Sequence, residues 1–140
     1  MAEGFARHLA PNGWNIYSAG TLLKEIHPLA VRVMDEVGID ISAQRAKGIE
    51  MIPIETIDLL ITLCGEAGEA CPTLATKVER QHWSLRDPAE ARGSEDEIVK
   101  VFRDVRDEVR RRVENLMAGD RVSRAPKGND AEPKGEIVQR

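Results

Sequence analysis

Ala2, Phe5, Ala6 and Leu9 recur at helical spacing, and Pro11-Asn12-Gly13 ends the pattern. The spacing predicts a helix over residues 1–10 that starts without a Ser, Thr, Asp or Asn ahead of it to satisfy its first amides. Trp14-Asn15-Ile16-Tyr17-Ser18 alternates as a short strand does, and Ala19-Gly20-Thr21 breaks it. A loop to His27 follows. Pro28 suits a first helical turn, Leu29, Ala30, Val33, Met34 and Val37 supply an apolar face, and Gly38 is placed as the C-terminal cap. Ile39-Asp40-Ile41-Ser42 reads as a brief extended piece, and Lys47 to Thr56 as a short helix broken by Pro53.

Leu59 to Leu63 is apolar at almost every position, without the polar alternation of a strand that has one wet face. Such runs belong to parallel strands covered on both sides by helices. Lys77 to Trp83 reads as a further strand, less apolar and nearer an edge. Ser94-Glu95-Asp96-Glu97 forms a capping box with acidic residues at the positive end of a helix. That helix continues through Ile98, Val101, Phe102, Val105, Val109, Val113 and Leu116. Arg110, Arg111 and Arg112 lie toward its negative end, where cations are favoured, and read as a solvated face. The pattern as a whole predicts an α/β chain of three layers, α/β/α, around a parallel sheet. Residues 1–118 form its domain. From Gly119 to Arg140 the chain turns to Gly, Pro, Lys, Asp and Glu with no aromatic residue, so a disordered tail is expected over 119–140.

Composition narrows the function classes. With 140 residues and 41% apolar content, the chain suffices for one domain with a real core. A net charge of -4, without a basic stretch outside the late helix, argues against nucleic acid as a partner. No run approaches the roughly 18 apolar residues of a membrane span, and the N-terminus lacks a signal pattern, so no membrane partner and a cytoplasmic location are expected.

Cys64 and Cys71 are the only thiols in the sequence, on the segment that directly follows the apolar run. A thiol at the carboxyl end of a buried strand lies where open α/β sheets bind ligands, and a second thiol seven positions on can reach it if the segment moves. On a straight helix the two would stand about 10 Å apart, beyond the roughly 7 Å that a disulfide spans, so bridging requires unwinding. Gly65 and Gly68 ease it. The pair reads as a redox relay, and the other reading is two inert, half-buried cysteines. Asp87, before Pro88, is likewise either an acid or an ordinary turn-initiating Asp. For His82 the alternatives are packing and catalysis.

Met1-Ala2-Glu3-Gly4-Phe5, Ser18-Ala19-Gly20-Thr21, His27-Pro28, Gly38-Ile39-Asp40-Ile41-Ser42, Thr62-Leu63-Cys64-Gly65, Cys71-Pro72, His82-Trp83, Asp87-Pro88-Ala89 and Phe102-Arg103-Asp104-Val105-Arg106-Asp107 occur in one order. Together they resemble the thioredoxin-coupled arsenate reductases of the low-molecular-weight tyrosine phosphatase fold, over residues 1 to about 117. The resemblance implies that a loop thiolate attacks arsenate while Asp87 protonates the departing oxygen. Cys64 then attacks the arsenylated cysteine and expels arsenite, and Cys71 forms a bridge with Cys64 that thioredoxin or a similar thiol reductant reopens. It also implies that Glu3 and Ser18 support the phosphate loop. Lys47 falls where some members carry an acidic residue associated with a bound cation, so its ammonium is expected to replace that ion. Neither a cofactor nor a metal is expected, and a monomer is.

Members of that family open with a strand and a phosphate loop, Cys, five residues, Arg, a few residues before the Met-Ala-Glu-Gly sequence. No cysteine of this chain is followed by Arg six positions on. The expectation is therefore a chain lacking the first strand, which in that fold lies between the second and third. It would be inactive as written and short of an interior strand. The strands around Ile16 and Ile61 would be left with unpaired amides and carbonyls, each costing about 1–3 kcal/mol if buried. Two other functions stay open, a low-molecular-weight tyrosine phosphatase and a non-catalytic remnant acting through Cys64 and Cys71.

Overall fold

The computed structural model describes residues 1–20, 24–63, 78–123 and 134–139. The described elements, in order, are helix α1 (Ala2–Leu9), strand β1 (Trp14–Ala19), helix α2 (Pro28–Asp35), strand β2 (Ile57–Thr62), strand β3 (Glu79–His82), helix α3 (Glu95–Ser123) and strand β4 (Lys134–Gln139). Short 3-10 turns at Ile49–Met51, Ile54–Thr56 and Pro88–Glu90 lie between them.

The helices form where their patterns place them. Met1 is the N-cap of α1 and makes no side-chain cap bond, as the sequence requires. His27 caps α2, its Nδ1 accepting from the Leu29 amide at 3.2 Å, and Pro28 stands in the first turn. Gly38 follows α2 with φ +78°, a conformation that costs Gly little. The capping box of α3 is present in both directions. Glu97 Oε2 accepts from the Ser94 amide at 2.8 Å, and Ser94 Oγ accepts from the Glu97 amide at 3.3 Å.

The sheet is parallel throughout, with strand order β1-β4-β2-β3. Neighbouring residues of β1 and β2 belong to different cores: Ile16 and Ile61 to one, Tyr17 and Leu60 to the other. Successive strand side chains point to opposite faces, so the sheet is apolar on both. One face packs against Phe5 and Ala6 of α1, Val33 and Met34 of α2, and Phe102, Val109 and Val113 of α3. The other packs against Ile49, Ile52 and Ile54 of the 3-10 segments. The continuous apolar run of β2 thus has its two covered faces.

Two expectations are corrected. The extended piece Ile39 to Ser42 joins no strand among the described residues. It is an Asx turn, Asp40 Oδ1 accepting from the Ser42 amide at 2.8 Å, whose Ile39 and Ile41 plug the core under α1. Lys47 to Thr56 holds two 3-10 turns in place of one broken helix. α3 continues to Ser123, and Lys134–Gln139 form a strand. That strand lies between β1 and β2 and pairs with both.

Candidate functional site

Because the strands are parallel, all their carboxyl ends open on one edge of the sheet. Ser18 lies one residue from the end of β1, Thr62 ends β2 and His82 ends β3, and Thr62 is the register partner of His82. Such an edge is where open α/β sheets hold ligands. Cys64 follows two residues beyond β2, and Asp87 lies on the segment after β3. Cys64 and Cys71 themselves lie outside the described residues.

Glu3 and Ser18, expected to support the phosphate loop, meet each other. Both are buried, and the Ser18 hydroxyl donates a short hydrogen bond to Glu3 Oε2. This contact ties the amino end of α1 to the carboxyl end of β1. A buried carboxylate needs charge partners. Arg7, one turn along α1, supplies Nη2 at 2.7 Å from Glu3 Oε1 and also donates to the Ile16 carbonyl at 3.2 Å. Lys47 supplies Nζ at 3.6 Å from the same oxygen. Glu3, Arg7, Asp40, Gln44, Arg45 and Lys47 border a cleft of about 250 Å³.

At the other strand ends Thr62 holds the end of β3. Its carbonyl accepts from the Trp83 amide at 2.8 Å, and its hydroxyl stands 2.8 Å from His82 Nδ1. Trp83 is buried and its Nε1 donates to Gln81 Oε1 at 3.3 Å. His82 thus has a hydrogen-bonding place in the structure. Asp87 is exposed at the N-cap of the Pro88–Glu90 turn, Oδ1 accepting from the Ala89 amide at 2.9 Å. The turn-initiating reading of Asp87 therefore describes its contacts, and it leaves Oδ2 for solvent or a ligand.

Arg7 went unremarked in the sequence, although a Glu and an Arg four apart on a helix are a usable signal. Arg106 did too. It is buried on α3, where Nη1 donates to the Val33 carbonyl at 2.9 Å and to Glu36 Oε2 at 3.0 Å, clamping α3 to α2. By contrast Arg110, Arg111 and Arg112 pair along their own helix with Glu114 and Glu108, as a solvated face does.

The deciding comparison is with known families. Residues 1–127 match the family described as low molecular weight phosphotyrosine protein phosphatase. This chain belongs to that family. Among the family's members, the arsenate reductase of Shouchella clausii is 43% identical over 116 residues, covering 83% of this chain and 84% of the relative. The arsenate reductase of Bacillus subtilis is also 43% identical over the same shares. Among solved structures, "An arsenate reductase in the phosphate binding state" superposes with a TM-score of 0.69 at 38% identity, covering 84% of this chain and 86% of that one. The phosphatase family fold of this chain, with its parallel sheet, is the one the sequence pattern and its resemblance imply.

Proposed function

We propose that this chain carries the thiol-relay half of an arsenate reductase. The observation that carries the reading is the 43% identity, over most of both chains, to proteins named arsenate reductase, joined to two cysteines that follow β2 in the sequence. A phosphatase of the same family would need Asp87 but not the cysteine pair.

The roles follow. A thiolate from a phosphate loop adds to arsenate as water leaves, with Asp87 giving the proton to the departing oxygen. Cys64 attacks that sulfur, the arsenic takes two electrons and leaves as arsenite, and a disulfide forms. Cys71 attacks Cys64, the first thiol is released, and a dithiol protein of the thioredoxin class reduces the Cys64–Cys71 bridge. No Cys-x5-Arg sequence is among these 140 residues. Glu3 and Ser18 hold the amino end of α1 against β1, and Lys47 supplies the positive charge that a bound cation would otherwise provide. The protein acts in the cytoplasm as a monomer, on residues 1–118.

The test is arsenite production from arsenate by the chain extended with its upstream reading frame, in the presence of thioredoxin, thioredoxin reductase and NADPH. Turnover that is lost in both Cys64→Ser and Cys71→Ser supports the reading. Hydrolysis of para-nitrophenyl phosphate that both serine variants retain, without arsenite, would replace it with the phosphatase. An upstream frame with no Cys-x5-Arg loop would leave the non-catalytic alternative.

A further inference from the structure

The turn between α1 and β1 carries a reactivity that the fold does not use. Asn12-Gly13 joins Pro11 to Trp14, and both residues of the pair are exposed. A carboxamide one residue ahead of a backbone amide places an electrophile beside a latent nucleophile, because attack of that nitrogen on Cγ closes a five-membered ring. A side chain on the following residue crowds the attack, and Gly has none.

The structure leaves the approach open. Gly13 takes φ +91°, and nothing lies within 4 Å of where a Cβ would stand. Among the described residues no carbonyl accepts from the Gly13 amide. The other described asparagines are set differently. Asn15 lies inside β1, ahead of the β-branched Ile16. Asn115 lies inside α3, where the next amide belongs to the helical ladder. Asn129 lies outside the described residues. Reaction inside a strand or helix requires that element to open first, whereas an exposed turn moves at little cost.

We infer that Asn12-Gly13 is a site of spontaneous covalent modification, at which the joint between α1 and β1 passes from an asparaginyl to an isoaspartyl link. The Gly13 nitrogen bonds to Asn12 Cγ, the Cγ–Nδ2 bond breaks, and ammonia leaves with the amide proton. Water then opens the succinimide at one of its two carbonyls. Attack at Cγ gives aspartate, and attack at the backbone carbonyl gives isoaspartate, with the main chain now running through Cβ and Cγ. Nothing is oxidised or reduced. Either product adds one negative charge to the formal net charge of -4. The isoaspartyl link also adds one atom to a joint held on both sides. The Ala10 amide donates to the Ala6 carbonyl at 2.8 Å on one side, and Arg7 donates to the Ile16 carbonyl at 3.2 Å across it. The longer joint loosens the seating of α1 on β1.

The test holds the folded 140-residue chain in mildly alkaline buffer at physiological temperature, where the attacking nitrogen loses its proton more often. Samples are followed by tryptic mass spectrometry and by methyl transfer from an isoaspartyl carboxyl methyltransferase. Conversion of amide to acid is expected at Asn12 at least about tenfold faster than at Asn15 or Asn115, the ratio that a small opening cost produces. Methyl acceptance should map to the tryptic peptide 8–24 and vanish in Asn12→Gln, whose ring would need a sixth member. The isoaspartyl chain, separated by ion exchange, should melt below Asn12→Asp, which has the same charge and no extra atom. Equal conversion at Asn12 and Asn15, or methyl acceptance that Asn12→Gln retains, would overturn the site. Equal melting of the isoaspartyl chain and Asn12→Asp would overturn the loosened joint.

Discussion

Glu3 is the residue on which the geometry of the sheet edge turns. It is buried, bonded to Ser18 and neutralised by Arg7 and Lys47, so removing it strands a buried hydroxyl and separates α1 from β1. Glu3→Ala should cost about 1–3 kcal/mol in urea unfolding, the penalty of a lost buried hydrogen bond, while Glu3→Gln keeps an acceptor for Ser18 and loses less. Gly4 beside it is fixed by space. A Cβ there would lie 2.7 Å from Ile41 Cγ2, and Ile41 is fully buried. Gly4→Ala gains about 1 kcal/mol of helix propensity yet should still lower the melting temperature, because overpacking costs about 1–3 kcal/mol. A rise in melting temperature would mean that Ile41 can turn aside.

At the scale of elements, the long helix is where sequence and structure agree best. Its capping box is legible because Ser94 and Glu97 satisfy one another's backbone locally, with no help from distant residues. Ser94→Ala should therefore cost about 1 kcal/mol, measured by thermal or chemical melting. Phe102 couples α3 to α2. It is buried, and its ring centroid lies 4.8 Å from that of His27, the residue capping α2. Phe102→Ala should cost about 3–5 kcal/mol and weaken both helices together. α1, α2 and β2 were equally readable, because each declares itself by periodicity or by an unbroken apolar run. The Ile39 to Ser42 turn was not, since β-branched residues at alternate positions look like a strand until Asp40 is seen to bond Ser42. Nor was β4. Its composition carries no strand signal, and its place is set by the pairing groups of β1 and β2, which lie far away in sequence. Of the candidate site, Glu3 and Ser18 were singled out by resemblance, whereas their contact with each other and the support of Arg7 needed the fold to be seen.

For the whole molecule, the clamp between α2 and α3 makes stability depend on acid. Arg103 binds both oxygens of Glu36, at 2.8 and 2.9 Å, and Arg106 adds a third bond at 3.0 Å. Led by the Arg103 hydrogen bond, these hold the Glu36 carboxyl at about 2, below its ordinary 4.5. The Arg111 and Arg112 hydrogen bonds similarly hold Glu108 at about 2. A carboxyl depressed by folding stabilises the fold above the unfolded value and loses that contribution as pH falls through the folded one. The melting temperature should accordingly be flat above about pH 5 and decline between about pH 4.5 and 2. Glu36→Gln should make that decline shallower, and 0.5 M salt should reduce it only in part, because the bidentate bonds are short-ranged.

The position of β4 also sets a clock. A ribosome adds about 5–20 residues per second, so β1 and β2 wait roughly 4 to 15 s after β2 is made before the strand that joins them has been synthesised. Throughout that interval the nascent sheet stands divided, with aliphatic edges open to chaperones and to other nascent chains.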